Sequence, residues 1–122
     1  MFFWILVLFF VSSLAVACSS SKKTSSTAVT ISATDSTTGL SIIKGNDCIT
    51  CHSLDKKLIG PSFLNIATRY NADQNTIDRL ANKIIKGGKG SWGDLPMTPH
   101  RSLSKDDAMT ISKYILSLKR QL

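Results

Sequence analysis

The pattern of apolar and polar positions divides the chain into three stretches. Residues 2–17 are apolar apart from Ser12 and Ser13. In residues 19–39, thirteen of twenty-one positions are Ser or Thr, too polar to build a core. From Leu40 to Leu122 the apolar positions recur at helical spacing. Leu40 and Ile43 predict a first helix running up to Cys48. Pro61-Ser62 opens a short second helix, with Ser62 as N-cap and Phe63, Ile66 and Ala67 as its apolar face. Ile77, Leu80, Ala81, Ile84 and Ile85 fall at i, i+3, i+4, i+7 and i+8, an amphipathic stripe that Gly87-Gly88 ends. Ser104 caps a last helix with Asp107 at N3, an acidic version of the capping box. Ala108, Ile111, Ile115 and Leu118 are its buried stripe, and Met109 lies beside it as core packing. Lys119-Arg120 suit the negative end of the helix dipole. Nothing alternates as a strand does. The expected fold is all-α, about four short helices.

A domain of about 80 residues has a marginal core of its own. The sequence offers a remedy in Cys48-Ile49-Thr50-Cys51-His52, a C-x-x-C-H pentapeptide and the attachment signature of a covalent c-type haem. Two thiols three positions apart sit on one side of a helical turn, so each can add to one vinyl group of the same porphyrin. The histidine that follows brings its imidazole under the iron. A buried porphyrin would also supply much of the missing apolar surface. Two other chemistries use such cysteines. A dithiol redox pair calls for a thioredoxin-like βαβ context, against the helical surroundings here. A zinc site needs further ligands at suitable spacing, and outside the motif the chain has only His100 and Cys18.

The N-terminal stretch is short for a membrane span, which takes roughly 20 apolar residues. It fits the apolar region of a secretory signal, residues 1–17. Leu14-Ala15-Val16-Ala17-Cys18 looks like a bacterial lipobox, which makes Cys18 the lipidated first residue of the mature protein and accounts for the odd cysteine. The lipobox has Ala15 where Leu is usual, and the segment before it carries no Lys or Arg. An uncleaved anchor and a simply secreted protein are the other readings. All three put the domain outside the cytoplasm, where C-x-x-C-H motifs receive haem in bacteria. Residues 18–39 are then a linker with a root-mean-square reach of about 25 Å. Ser21-Lys22-Lys23 resembles the surface-export signals of some Bacteroidetes lipoproteins, or is a solvated part of the tether.

From about Leu40 to Leu118 the sequence resembles the class I cytochromes c of the small bacterial c551/c552 group. The resemblance is carried by the C-x-x-C-H motif, Ile59-Gly60-Pro61, Gly88-Lys89-Gly90-Ser91-Trp92-Gly93, Pro96-Met97 and the closing Tyr114-Ile115-Leu116. It implies a cytochrome c fold over residues 40–122 around one haem c, covalently bound. It implies His52 and Met97 as axial iron ligands, with the Pro61 carbonyl orienting the His52 ring. It implies that the Trp92 indole N–H binds a haem propionate, that Gly88 and Gly90 let the loop pass close to the porphyrin, and that Pro96 restrains the loop at Met97. At one packing site the chain departs from the family. An aromatic is usual five residues before the first haem cysteine, and Ile43 stands there, facing Tyr114. His100, three residues after Met97, is the other candidate distal ligand; the Pro96-Met97 match assigns the ligand to Met97 and leaves His100 as a solvent-facing loop residue.

The formal net charge of +7 adds a further expectation. Lys44, Lys56, Lys57, Lys86, Lys89 and Arg101 flank the segments that would frame the haem. A basic rim there would steer redox partners with an acidic docking surface; a generally basic solvated surface is the plainer reading. No basic-aromatic stripe points to nucleic acid. The expected function is a monomeric, membrane-tethered monohaem cytochrome c, no enzyme, carrying single electrons between respiratory redox partners. It would sit lipid-anchored on the periplasmic side of the inner or outer membrane. The alternatives are a dedicated electron-transfer subunit of a periplasmic dehydrogenase, reductase or oxidase, and a haem gas sensor or peroxidase-like protein with a labile distal ligand.

Overall fold

The computed structural model describes residues 29–121. The signal segment, Cys18 and the first half of the expected linker lie outside the described residues. Helix α1, Ala33–Lys44, starts at a capping box: the Ser32 hydroxyl accepts from the Asp35 amide, and the Asp35 carboxylate accepts from the Ser32 amide. The packed domain therefore begins before Leu40, earlier than the Ser/Thr composition implies. Residues 29–32 are tied down as well. The Val29 amide donates to the Ala72 carbonyl at 3.1 Å, and Ile31 is buried with Ile77 and Leu116.

The first helix does not run on into the haem motif. It stops at Gly45, and a turn through Asn46 and Asp47 leads into a single helical turn, α2, Cys48–Cys51. Helix α3, Phe63–Arg69, begins at Ser62, whose hydroxyl accepts from the Asn65 amide, and buries Phe63, Ile66 and Ala67. Helix α4, Gln74–Lys86, is capped by Asp73 and buries Ile77, Ala81 and Ile84 along the expected stripe. It ends at Gly87, whose φ of +63° is costly for any residue with a Cβ.

A two-stranded hairpin follows, β1 Gly88–Gly90 and β2 Gly93–Met97, with Gly88 opposite Met97 and Gly90 opposite Gly93. The sequence reading had no strand here. The strands are only three and five residues long and include Gly88, Gly90 and Gly93, so no apolar alternation marks them. Helix α5, Lys105–Ser117, starts at Ser104 and passes into a 3-10 turn, Leu118–Gln121. At its cap the Ser104 hydroxyl accepts from the Asp107 amide and donates to the Asp107 carboxylate.

The main core is shared by α1, α3, α4 and α5 and holds Ile43, Phe63, Ala81, Ile111, Tyr114 and Leu118 among others. Met109 packs at the edge of both clusters. Helices α1 and α5 cross closely at Gly39, where a Cβ would lie 2.5 Å from Tyr114 Cβ and 2.8 Å from the Thr110 carbonyl oxygen. Ile43 and Tyr114 share the cluster, so an aliphatic side chain does serve at the family's aromatic position. Among the described residues no helix is long and apolar enough to cross a membrane.

Candidate haem site

Helix α2, the loop after it, α4, the hairpin and α5 surround a cavity of about 410 Å³. Cys48, Cys51, His52, Pro61, Trp92 and Met97 all line it, so every site residue expected within the domain converges on one place.

His52 leaves the motif helix in an extended conformation and is buried, 9% exposed. Its Nδ1 lies 2.7 Å from the Pro61 carbonyl oxygen. A carbonyl only accepts, so Nδ1 carries the proton and Nε2 keeps the lone pair that a metal needs. Phe63 stacks on the ring at 5.7 Å, 17° from parallel. Gly60 closes in from the other side: a Cβ there would sit 2.8 Å from His52 Nδ1 and closer still to the ring carbon Cε1. The loop that presents Gly60 and Pro61 is itself pinned, with the Gly60 amide donating to the Cys51 carbonyl at 2.8 Å and the Phe63 amide to the Ser53 carbonyl at 2.9 Å.

Cys48 and Cys51 are half-buried and not joined to each other. Burial pushes the Cys48 thiol above its ordinary pKa, and the neighbouring Asp47 charge adds to the shift. Among the described residues no cluster of three His, Cys, Asp or Glu side chains stands ready for a metal ion. Nor do the described residues form a βαβ unit, so among them zinc and dithiol chemistry both lack their settings.

Met97 ends β2, half-buried, on the hairpin wall. Trp92, at the hairpin turn, is 41% exposed. The Arg69 guanidinium lies 4.4 Å from its ring centroid, and Tyr70 meets it edge-on at 6.4 Å. Lys83 also lines the cavity, its ammonium donating to the Lys89 carbonyl at 3.0 Å. The sequence reading missed Arg69, Lys83 and Asp47 as site residues. Lys83 was open to view, one residue before Ile84 on the inward stripe. Arg69 and Asp47 carry no such signal.

His100 is not a solvent-facing loop residue. Its side chain is 14% exposed, lines the cavity, and places Nε2 2.9 Å from Asp47 Oδ1. The carboxylate accepts, so in the neutral ring Nδ1 is the lone-pair nitrogen. That atom is buried without a partner.

These features fit a haem. The cavity walls are largely apolar, two thiols and an oriented imidazole come from one side, and a thioether comes from another. The absence of a side chain at Gly60 lets the Pro61 loop lie against the imidazole. One buried polar atom beside the cavity, His100 Nδ1, has no hydrogen-bond partner among the described residues.

Known proteins agree with this geometry. The family model for cytochrome c matches residues 36–119. Cytochrome c-551 of Pseudomonas denitrificans is 40% identical over 82 residues, 67% of this chain and 99% of that protein. The crystal structure of wild-type cytochrome c552 from Nitrosomonas europaea superposes with a TM-score of 0.62 at 38% identity, covering 66% of this chain and 99% of that one. The class 1 cytochrome MtoD of Sideroxydans lithotrophicus ES-1, 23% identical with a TM-score of 0.56, shares the fold. The chain accordingly belongs to the cytochrome c family, among the small c551/c552 electron carriers that hold one covalent haem c and are not enzymes.

Proposed function

We propose that this protein is a membrane-tethered electron shuttle in which His52 and Met97 are the axial iron ligands. The observation that carries the reading is the 2.7 Å bond from His52 Nδ1 to the Pro61 carbonyl, which leaves the Nε2 lone pair available to a metal in the cavity that Met97 also lines. The haem, when bound, supplies one-electron iron chemistry. The chain does the rest. Cys48 and Cys51 hold the porphyrin, Phe63 and Gly60 fix the plane of the imidazole, and Trp92 offers an indole N–H to a propionate. Ligands from the protein on both faces leave no open iron position, which suits a carrier and not a gas sensor or peroxidase.

Exposed apolar residues beside the motif, Ile49 and Leu58, would give a partner a dry contact near the haem. Lys44, Lys56, Lys57, Lys86, Lys89 and Arg101 are exposed too and would draw in respiratory partners of acidic surface. Cys18 would hold the mature protein on the periplasmic side of a bacterial membrane.

The test is a redox titration of holoprotein variants. A thioether favours ferrous iron and imidazole favours ferric iron. Met97→His should lower the midpoint potential by on the order of 0.1 V or more, within the ~0.8 V that axial ligation spans. Met97→Ala should open the iron to added ligands, and His100→Phe should leave the potential near that of wild type. A strong shift in His100→Phe, with none in Met97→Ala, would make His100 the ligand and end this reading.

A further inference from the structure

We propose that Asp47 and His100 form a latch that holds the Met97 loop closed over the haem, acting as positioning residues for the distal ligand. The inference rests on Met97 being that ligand. Asp47 immediately precedes the motif helix α2 and is its N-cap residue, yet its side chain makes no capping bond. It reaches instead to His100, 53 residues away in sequence and three beyond Met97. The loop is fixed to α4 on its other side, where the His100 amide donates to the Ile84 carbonyl at 3.1 Å. Among the described residues, the Asp47–His100 bond is the one hydrogen bond between the haem-motif segment, 45–62, and the hairpin-and-loop segment, 87–103.

The wall it secures is a two-stranded hairpin of three and five residues, in which Gly88, Gly90 and Gly93 have positive φ, and a hairpin with no third strand is marginally stable by itself. Such a segment opens locally at small free-energy cost. When it opens, Met97 leaves the iron and a soluble ligand can enter. A bond present only in the closed state biases the equilibrium toward closure. The two partners divide the task. His100 is mostly buried and placed by the loop backbone, and Asp47 is 74% exposed on the side chain and placed by the motif. The carboxylate can accept from Nε2–H in either the neutral or the protonated ring.

The experiment follows imidazole binding to the ferric holoprotein, together with the weak charge-transfer band that reports an iron–thioether bond. Asp47→Ala, at an exposed site, should fold normally and bind imidazole roughly tenfold faster, the kinetic equivalent of one lost hydrogen bond. His100→Phe, which keeps the bulk, should do the same. The double variant should be no faster than either single one, because both remove the same bond. Asp47→Asn keeps an acceptor oxygen and should restore most of the wild-type rate. Ser32→Ala, a cap variant on α1 away from the loop, should destabilise the fold without changing the rate. If the wild-type band is present and Asp47→Ala binds imidazole at the wild-type rate, or the two single effects add, the latch is wrong. If wild-type protein lacks the band, the Met97 assignment fails first and the latch goes with it.

Discussion

The most constrained residue of the site has no side chain. Gly60 lies so near the His52 imidazole that any Cβ would press on the ring and on the nitrogen bonded to Pro61. Gly60→Ala should destabilise the holoprotein by about 1–3 kcal/mol, the usual cost of overpacking. Denaturant unfolding checks this, and an unchanged midpoint would mean that the Pro61 loop moves aside freely. Legibility at this scale followed locality. His52 stands in a five-residue motif, and Pro61 and Met97 stand in short patterns, so their places were open to sequence reading. The partner of His100 was not. Asp47 and His100 are 53 positions apart, and neither residue type demands the other. A histidine beyond a proline-rich loop reads as surface until the fold brings a carboxylate to it.

Individual helices were legible because their signals are local. The Ser62 cap, the 77–85 stripe and the Gly87 stop all lie within the elements they define. Three features escaped for physical reasons. The hairpin strands are three and five residues long and rich in glycine, too short for strand periodicity to arise. The break at Gly45–Asp47 was hidden by the apolar spacing on either side of it. The start of α1 was masked by its hydroxyl-rich composition, although Ser32-x-x-Asp35 is itself a start signal. That cap makes the element sensitive to acid. The Ser32 hydroxyl, bonded to the Asp35 carboxylate, is the main cause holding Asp35 below its ordinary pKa of 3.8, and Lys113 adds to it at 3.5 Å. A carboxyl lowered in the fold stabilises it at pH above the ordinary value and ceases to do so as pH falls through the lowered one. Acid should therefore loosen the start of α1, and Asp35→Asn should remove that part of the pH dependence. Ser32→Ala should cost about 1 kcal/mol at neutral pH. Thermal unfolding of the three proteins across pH gives both results, and parallel wild-type and Asp35→Asn profiles below the ordinary aspartate pKa would contradict the account.

For the whole molecule, composition and charge announced a small helical domain completed by its cofactor and joined to a polar lead-in. The expected tether makes a definite prediction. Mass spectrometry of the mature protein should find lipid on Cys18, and Cys18→Ala should leave the protein in the aqueous phase of a detergent partition. An unmodified Cys18, or a different mature start, would rule the anchor out. The close crossing of α1 and α5 at Gly39 and Tyr114 bears on how the molecule is made. The two residues are 75 positions apart, and the haem motif lies between them in sequence. A chain delivered N-terminus first exposes Cys48, Cys51 and His52 long before α5 arrives to close the core behind them. During that interval both thiols stand open on an unclosed chain, and whatever installs the porphyrin meets a flexible peptide and not a pocket. The core beside the motif is complete only when α5 has packed onto α1, α3 and α4.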